Sequence, residues 1–259
     1  MSYNIAVAGK GGSGKTTVAS LVVRYLKQNG LGPILAVDAD PNANLGESLG
    51  LSIRQTVGSI IATFNEEKIN IPPGMTKEAY LEVKLNDAMV ESKGLDLVTM
   101  GRGEGPDCYC YPNLLLRKFM DSMAGNYQYI VMDNEAGMEH LSRRTTQNID
   151  ELLLVSNHSV KGVRTIAHIK ELVDELKLVV KRQSVIINLV PDGIDPHIKE
   201  EMTKLGIEPT TIIPMDDTVS EFDMAMKPLL DLPECRATNA VDALLAGLLQ
   251  NKIQATKTH

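Results

Sequence analysis

Short apolar runs alternate along the chain with longer stretches whose apolar residues recur every three or four positions. Ile5–Ala8 is the first run, after which Val18, Leu21, Val22, Tyr25 and Leu26 fall on one helical face. Further runs lie at Ile34–Val37, Leu95–Met100, Tyr129–Met132, Leu152–Val155, Val185–Val190 and Thr211–Ile213. Continuous apolar character, rather than strict alternation, predicts strands buried on both faces. The expected fold is α/β, with a mostly parallel central sheet of about seven to eight strands and helices on both faces. One domain should span residues 1–259, with binding and catalytic residues at the carboxyl ends of the strands. Residues 65–94 are the least regular, broken by Pro72-Pro73-Gly74, and read as an insertion with a helix near Lys77–Met89. The last pattern, Val241–Leu249, sets Leu244, Leu245, Leu248 and Leu249 on one side. Its other face carries almost no basic residues before Lys252, so it reads as core packing rather than a membrane-surface helix.

Residues 9–17, Gly-Lys-Gly-Gly-Ser-Gly-Lys-Thr-Thr, change the picture from a fold to a chemistry. They match G-x-x-x-x-G-K-[ST] between a strand and a helix, the context that makes this motif a phosphate-binding loop. The fold is therefore expected to be a P-loop NTPase. Gly11, Gly12, Ser13, Gly14, Lys15, Thr16 and Thr17 should surround a polyphosphate with backbone N–H groups and a positive helix end. Lys15 should reach the β- and γ-phosphates, and Thr16 should hold Mg²⁺.

Composition narrows the partners. The 259 residues are 43% hydrophobic and only 4% aromatic, and the net charge is −7. With a sequence pI of about 5.3, a wide basic footprint for DNA or RNA is not expected. No secretion signal is visible, and no run approaches the roughly 20 apolar residues of a membrane helix. Three cysteines do not make a disulfide framework. A reduced, cytoplasmic protein without nucleic-acid or membrane partners is the expectation.

Two strand ends carry acids. Asp38-Ala39-Asp40-Pro41 follows the second run, where a carboxylate can hold Mg²⁺-bound water or orient the attacking water. Tyr129–Met132 ends in Asp133, which should bind the water shell of Mg²⁺. Gly137, just beyond, could offer its N–H to the γ-phosphate and make that loop a switch. His140 stands beside Arg143 and Arg144 at an expected helix start, and reads as a surface or coupling residue.

Lys10, at the loop entrance, is a second lysine where one suffices. In this the chain resembles the deviant P-loop ATPases: the nitrogenase iron protein, septum- and plasmid-partitioning ATPases, and metal-insertion ATPases. That resemblance implies a homodimer whose closed form needs ATP, with Lys10 reaching across to the partner's nucleotide. It also places Asp40 at the switch I position, as the residue for water activation. Asn44 stands where the nitrogenase iron protein has aspartate. The same resemblance assigns Asn188, Pro214 and Asp216 to adenine.

Cys108-Tyr109-Cys110 follows a glycine-rich loop. Two thiols one residue apart can both point at one soft metal ion, but a closed thiolate site usually takes four. A dimer with the loop on its two-fold axis supplies four, suited to Zn²⁺ as a tetrahedron or Ni²⁺ as a square plane. Residues 9–17, Cys108-Tyr109-Cys110 and Asp133 to Leu141 together resemble the nickel-insertion accessory ATPases of carbon monoxide dehydrogenase and acetyl-CoA synthase. The resemblance implies a dimer that binds nickel at its interface and delivers it to one of those clients, with ATP and Mg²⁺ as cofactors. An electron-donating iron protein would want a second cysteine in the segment where this chain has Ala136. A positioning ATPase of the partitioning type would need a DNA-binding surface or membrane helix, and has no use for the cysteine pair. Cys235, without a partner in sequence, reads as structural.

Overall fold

The computed structural model describes residues 2–66, 71–101, 122–123, 125–135 and 148–256. Eight strands form one sheet: β1 (Tyr3–Gly9), β2 (Ile34–Asp38), β3 (Val90–Ser92), β4 (Leu95–Thr99), β5 (Tyr129–Asp133), β6 (Asn148–Asn157), β7 (Val179–Val190) and β8 (Thr211–Pro214). Their spatial order is β3-β4-β2-β5-β1-β6-β7-β8. Every neighbouring pair is parallel except β3 with β4, which is antiparallel at the edge.

Both faces of the sheet are apolar, as the unbroken runs require. On one face Ile5 and Val7 of β1 pack with Val18, Val22 and Leu26 of helix α1 (Lys15–Gln28) and with Leu45 of α2 (Leu45–Ser48). On the other face Ala6 and Ala8 join α3 (Val57–Glu66), α4 (Lys77–Asp87), α5 (Val160–Glu175) and α6 (Pro196–Lys204). Helix α7 (Asp217–Met224) and the 3₁₀ turn Leu229–Asp231 lead to the last helix, α8 (Arg236–Thr256).

The irregular insertion contributes to this core. Thr76 Oγ1 caps α4 by accepting the Ala79 N–H at 3.2 Å, and Leu81 and Leu85 are buried. Helix α8 also packs inward: Val241, Leu245 and Leu249 are at most 1% exposed, each adding about 1.5–3 kcal/mol of burial. Among the described residues no helix is long and apolar enough to cross a membrane. Arg24 of α1 is buried, donates to the Leu232 carbonyl at 2.9 Å and pairs with Asp242 of α8 at 3.5 Å.

The structure departs from the sequence pattern in β6 and β7, which begin well before their apolar runs. Glu151 is fully buried in β6. Arg182 Nε approaches its carboxylate at 3.0 Å, and the Ser184 hydroxyl donates to it at 2.6 Å. Paired this way, a charge sits inside a strand that apolar patterning alone would have begun at Leu152.

Candidate functional site

β1 delivers the chain to the loop at residues 10–14 through a narrow seam. Gly9 lies opposite Val155 in the parallel β1–β6 pair. A Cβ built on Gly9 would sit 2.0 Å from the Val155 carbonyl oxygen, so the strand must end in glycine. Gly12 and Gly14 then take φ of 75° and 83°, the left-handed region that favours glycine. The Ser13 N–H bonds back to the Lys10 carbonyl at 3.1 Å and closes the loop. Gly14 caps α1 with no side-chain hydrogen bond, which leaves the first-turn N–H groups for an anion. Lys15 is 7% exposed, and its Nζ donates to the Lys10 carbonyl at 3.4 Å. Lys10 itself is half-buried at the loop mouth.

The acidic side of the site is built by two adjacent strand ends. Asp38 and Asp133 are register partners of β2 and β5. The Ala39 N–H donates to the Asp133 carbonyl at 2.9 Å, latching the strand ends together. Thr16 Oγ1 donates to Asp133 Oδ2 at 2.6 Å. Asp133 Oδ1 and Ser13 Oγ are buried and take no hydrogen bond. An orphaned carboxylate oxygen beside a threonine hydroxyl is the donor set that a hydrated Mg²⁺ needs, so these residues fit that ion. Burial lifts the Asp133 pKa to about 7; the Thr16 and Lys15 contacts lower it, and the charges of Asp38 and Asp40 raise it.

Asp38 is the inner acid of the following loop. Its carboxylate accepts the N–H groups of Asp40 at 3.1 Å and Leu45 at 2.9 Å, folding residues 39–45 around itself. Asp40 is half-buried and its Oδ1 accepts the Asn42 N–H at 2.8 Å, a local turn that leaves one oxygen for water. Burial raises the Asp38 pKa to about 6, against the two N–H bonds, with the Asp40 charge adding to the rise. Folded Asp38 therefore holds its proton more tightly than the unfolded chain does. Its stabilising contribution is full below about pH 4 and is lost as pH rises through 6. Over that window nucleotide-free protein should lose on the order of 3 kcal/mol from this carboxyl. Asp38→Asn should lower the pH slope by this share and leave the part that Asp133, whose pKa is also raised, contributes, read by denaturant unfolding at a series of pH values; an unchanged slope would place the titration elsewhere.

A cavity of about 310 Å³ opens beside the loop, lined among others by Gly14, Thr17, Asn188, Leu189, Pro214 and Asp216. Asn188, 4% exposed, donates its Nδ2 to the Ser13 carbonyl at 3.0 Å. Gly14 makes that approach possible, because a Cβ there would lie 2.3 Å from the same Nδ2. Pro214 ends β8 on the cavity wall. Asp216 accepts the Thr218 N–H at 3.0 Å and the Ala237 N–H at 3.1 Å, bracketing the starts of α7 and α8. Burial alone would lift its pKa, but these backbone bonds hold it below the usual value. A second cavity, of about 400 Å³, shares Thr17, Asp223 and Leu229 with the first and reaches Asn44, Glu47 and Lys227.

The site thus brings together Lys10, the loop glycines, Ser13, Lys15, Thr16, Thr17, Asp40, Asp133, Asn188, Pro214 and Asp216. Gly137, His140, Cys108 and Cys110 lie outside the described residues. Cys235 is half-buried and unbridged, and its N–H donates to Thr238 Oγ1 at 2.8 Å at the start of α8. Two residues were not singled out by the sequence. Asp38 was visible as the first acid of Asp-Ala-Asp, but only strand register shows it beside Asp133. Leu189 adopts φ 58°, a left-handed backbone that costs a leucine roughly 1–3 kcal/mol, and nothing in its sequence context signals that.

Residues 5–229 match the family model described as the CobQ/CobB/MinD/ParA nucleotide binding domain. An uncharacterized ATP-binding protein of Methanocaldococcus jannaschii is 41% identical over 232 residues, covering 89% of this chain and 91% of that protein. The carbon monoxide dehydrogenase accessory protein CooC of Rhodospirillum rubrum is 28% identical over 260 residues, covering 95% and 96%. Among solved structures, the septum site-determining protein MinD of Pyrococcus horikoshii, complexed with Mg-ADP, superposes with a TM-score of 0.69. That pair is 20% identical with 96% of each chain covered, a likeness of fold.

Proposed function

The chain belongs to the CobQ/CobB/MinD/ParA family of nucleotide-binding domains, and from that premise we propose that it is an ATP-hydrolysing, dimeric nickel chaperone. Its client in this reading is carbon monoxide dehydrogenase or acetyl-CoA synthase. The observation that carries the nucleotide half is the Thr16–Asp133 contact of 2.6 Å, with the second Asp133 oxygen orphaned beside an uncapped helix N-terminus. The metal half rests on Cys108-Tyr109-Cys110, in a chain similar almost end to end to the Rhodospirillum rubrum accessory protein.

The base reading follows from an amide. Since Asn188 gives its N–H to Ser13, it has an acceptor left to offer the cavity. The exocyclic amine of adenine is a donor, whereas guanine carries a carbonyl there, so the site favours ATP. Lys15 neutralises phosphate charge from within the subunit, and Lys10 does so for the partner's nucleotide. Asp40 orients the attacking water. Thr16 and the Asp133 side would hold Mg²⁺, which would supply charge neutralisation to the phosphates. Closing the dimer on ATP changes the spacing of the two cysteine pairs, so metal affinity and nucleotide state are linked. Linkage is reciprocal, and metal must then favour the dimer state that binds it better.

Equilibrium dialysis of reduced apo-protein against Ni²⁺, with size measured on the same sample, tests this. The expected result is about half a nickel per chain in a dimer, from four thiolates per ion. Cys108→Ala with Cys110→Ala should abolish it and leave ATP binding intact. Tight nickel binding that survives in the double variant would refute the interface site. A positioning ATPase would use the same nucleotide residues and bind no nickel, and an electron donor would take up iron and turn brown on anaerobic reconstitution.

A further inference from the structure

The wall of the base cavity contains a device that ATP binding as such does not explain. Along β7 and β8, Ile187 pairs with Ile212 and Val190 with Pro214. Two residues of β7, Asn188 and Leu189, therefore oppose Ile213 alone, which makes a β-bulge. In a regular strand consecutive side chains point to opposite faces. The bulge breaks that alternation between Asn188 and Leu189, and both residues line the base cavity, as do Ile213 and Pro214 across from them. The bulge is made with Leu189 at φ 58°, which glycine or asparagine would adopt with far less strain. The backbone therefore does not account for a leucine. Nor does the core, because Leu189 is 41% exposed between Asn188 and Val190, both buried.

We propose that Leu189 is a specificity residue for the nucleotide base: the bulge holds its side chain at the cavity rim, where it covers the bound adenine ring. Asn188 reads the ring's edge, and Leu189 supplies an apolar face that excludes water from it. An exposed leucine becomes covered only when a base is present, so its contribution is confined to ligands that carry one. The bare phosphate chain, gripped by residues 10–17, gains nothing from it. This inference rests on the ATP reading of the cavity.

Leu189→Gly and Leu189→Asn suit the test because both residues tolerate a positive φ and should fold with a melting temperature no lower than the parent's. Affinities for Mg-ATP and Mg-tripolyphosphate are measured by calorimetry on the full chain. Loss of the leucine contact should weaken ATP about tenfold in both variants and leave tripolyphosphate unchanged. The ATP dissociation rate should rise by a similar factor, since lost contacts act mainly there. Equal losses for both ligands, or no loss for ATP, would overturn the role of Leu189 while leaving the cavity's assignment standing. A parent protein that binds tripolyphosphate as tightly as ATP would overturn that assignment, and this inference with it.

Discussion

Lys15→Ala should cut ATP hydrolysis by about 10³-fold or more and weaken ATP binding in the same protein. The magnitude follows from removing a buried, fixed cation from the place where charge develops, a loss typically of 10²–10³ for a single donor and more for a full charge. Lys15 is 7% exposed, with Nζ parked on the Lys10 carbonyl, so no solvent cation substitutes for it. Lys10→Ala provides the contrast. It should leave ATP binding by the isolated subunit within about twofold, since the role proposed for Lys10 is on the partner's nucleotide, yet still slow turnover about 10²-fold. ATP titration and phosphate release, each followed across a range of protein concentration, separate the two. Equal loss of ATP affinity in both variants would return Lys10 to its own subunit's phosphates.

Among the described glycines, Gly9→Ala should be the most damaging substitution by alanine. The added carbon meets the Val155 carbonyl oxygen at 2.0 Å, and both partners are backbone in the middle of the sheet. Neither can turn aside as a side chain would, so β1 and β6 must separate where the phosphate loop begins. A loss of at least ~3 kcal/mol is expected, equivalent to a fall in melting temperature of roughly 10 °C. Gly247→Ala is the matched control: it lies within α8 with nothing inside 4 Å of its Cβ, and alanine there should stabilise by roughly 0.5–1 kcal/mol. Scanning calorimetry of the two variants checks both signs. A Gly9→Ala protein that melts with the parent would mean that the seam is looser than its geometry.

Much of this arrangement is legible in the sequence because the physics is local. The loop at 9–17 needs glycines where Gly12 and Gly14 turn left-handed, and continuous apolar runs such as Tyr129–Met132 can only be central strands. Legibility fails where a distant partner changes the meaning of a residue. Lys181, Arg182 and Gln183 look like surface, yet they belong to the first half of β7, where Arg182 pairs with Glu151 on the neighbouring strand. The edge strand β3 is three residues long and only half-buried, too short to carry a period. Asp38 and Asp40 cannot be ranked from Asp-Ala-Asp-Pro, since alternation alone makes both point the same way. Register beside Asp133 distinguishes them. Leu189 is invisible for a similar reason, because its bulge exists only relative to β8.

The latch between Ala39 and the Asp133 carbonyl has a mechanical meaning. It rivets Ala39, the residue that follows β2, to Asp133, the last residue of β5, whose side chain also accepts the Thr16 hydroxyl. A tug on either acid is therefore transmitted through the rivet before it is transmitted along the chain. Movement of the Asp133 end, where Thr16 also bonds, thus has a direct route to the residues folded around Asp38.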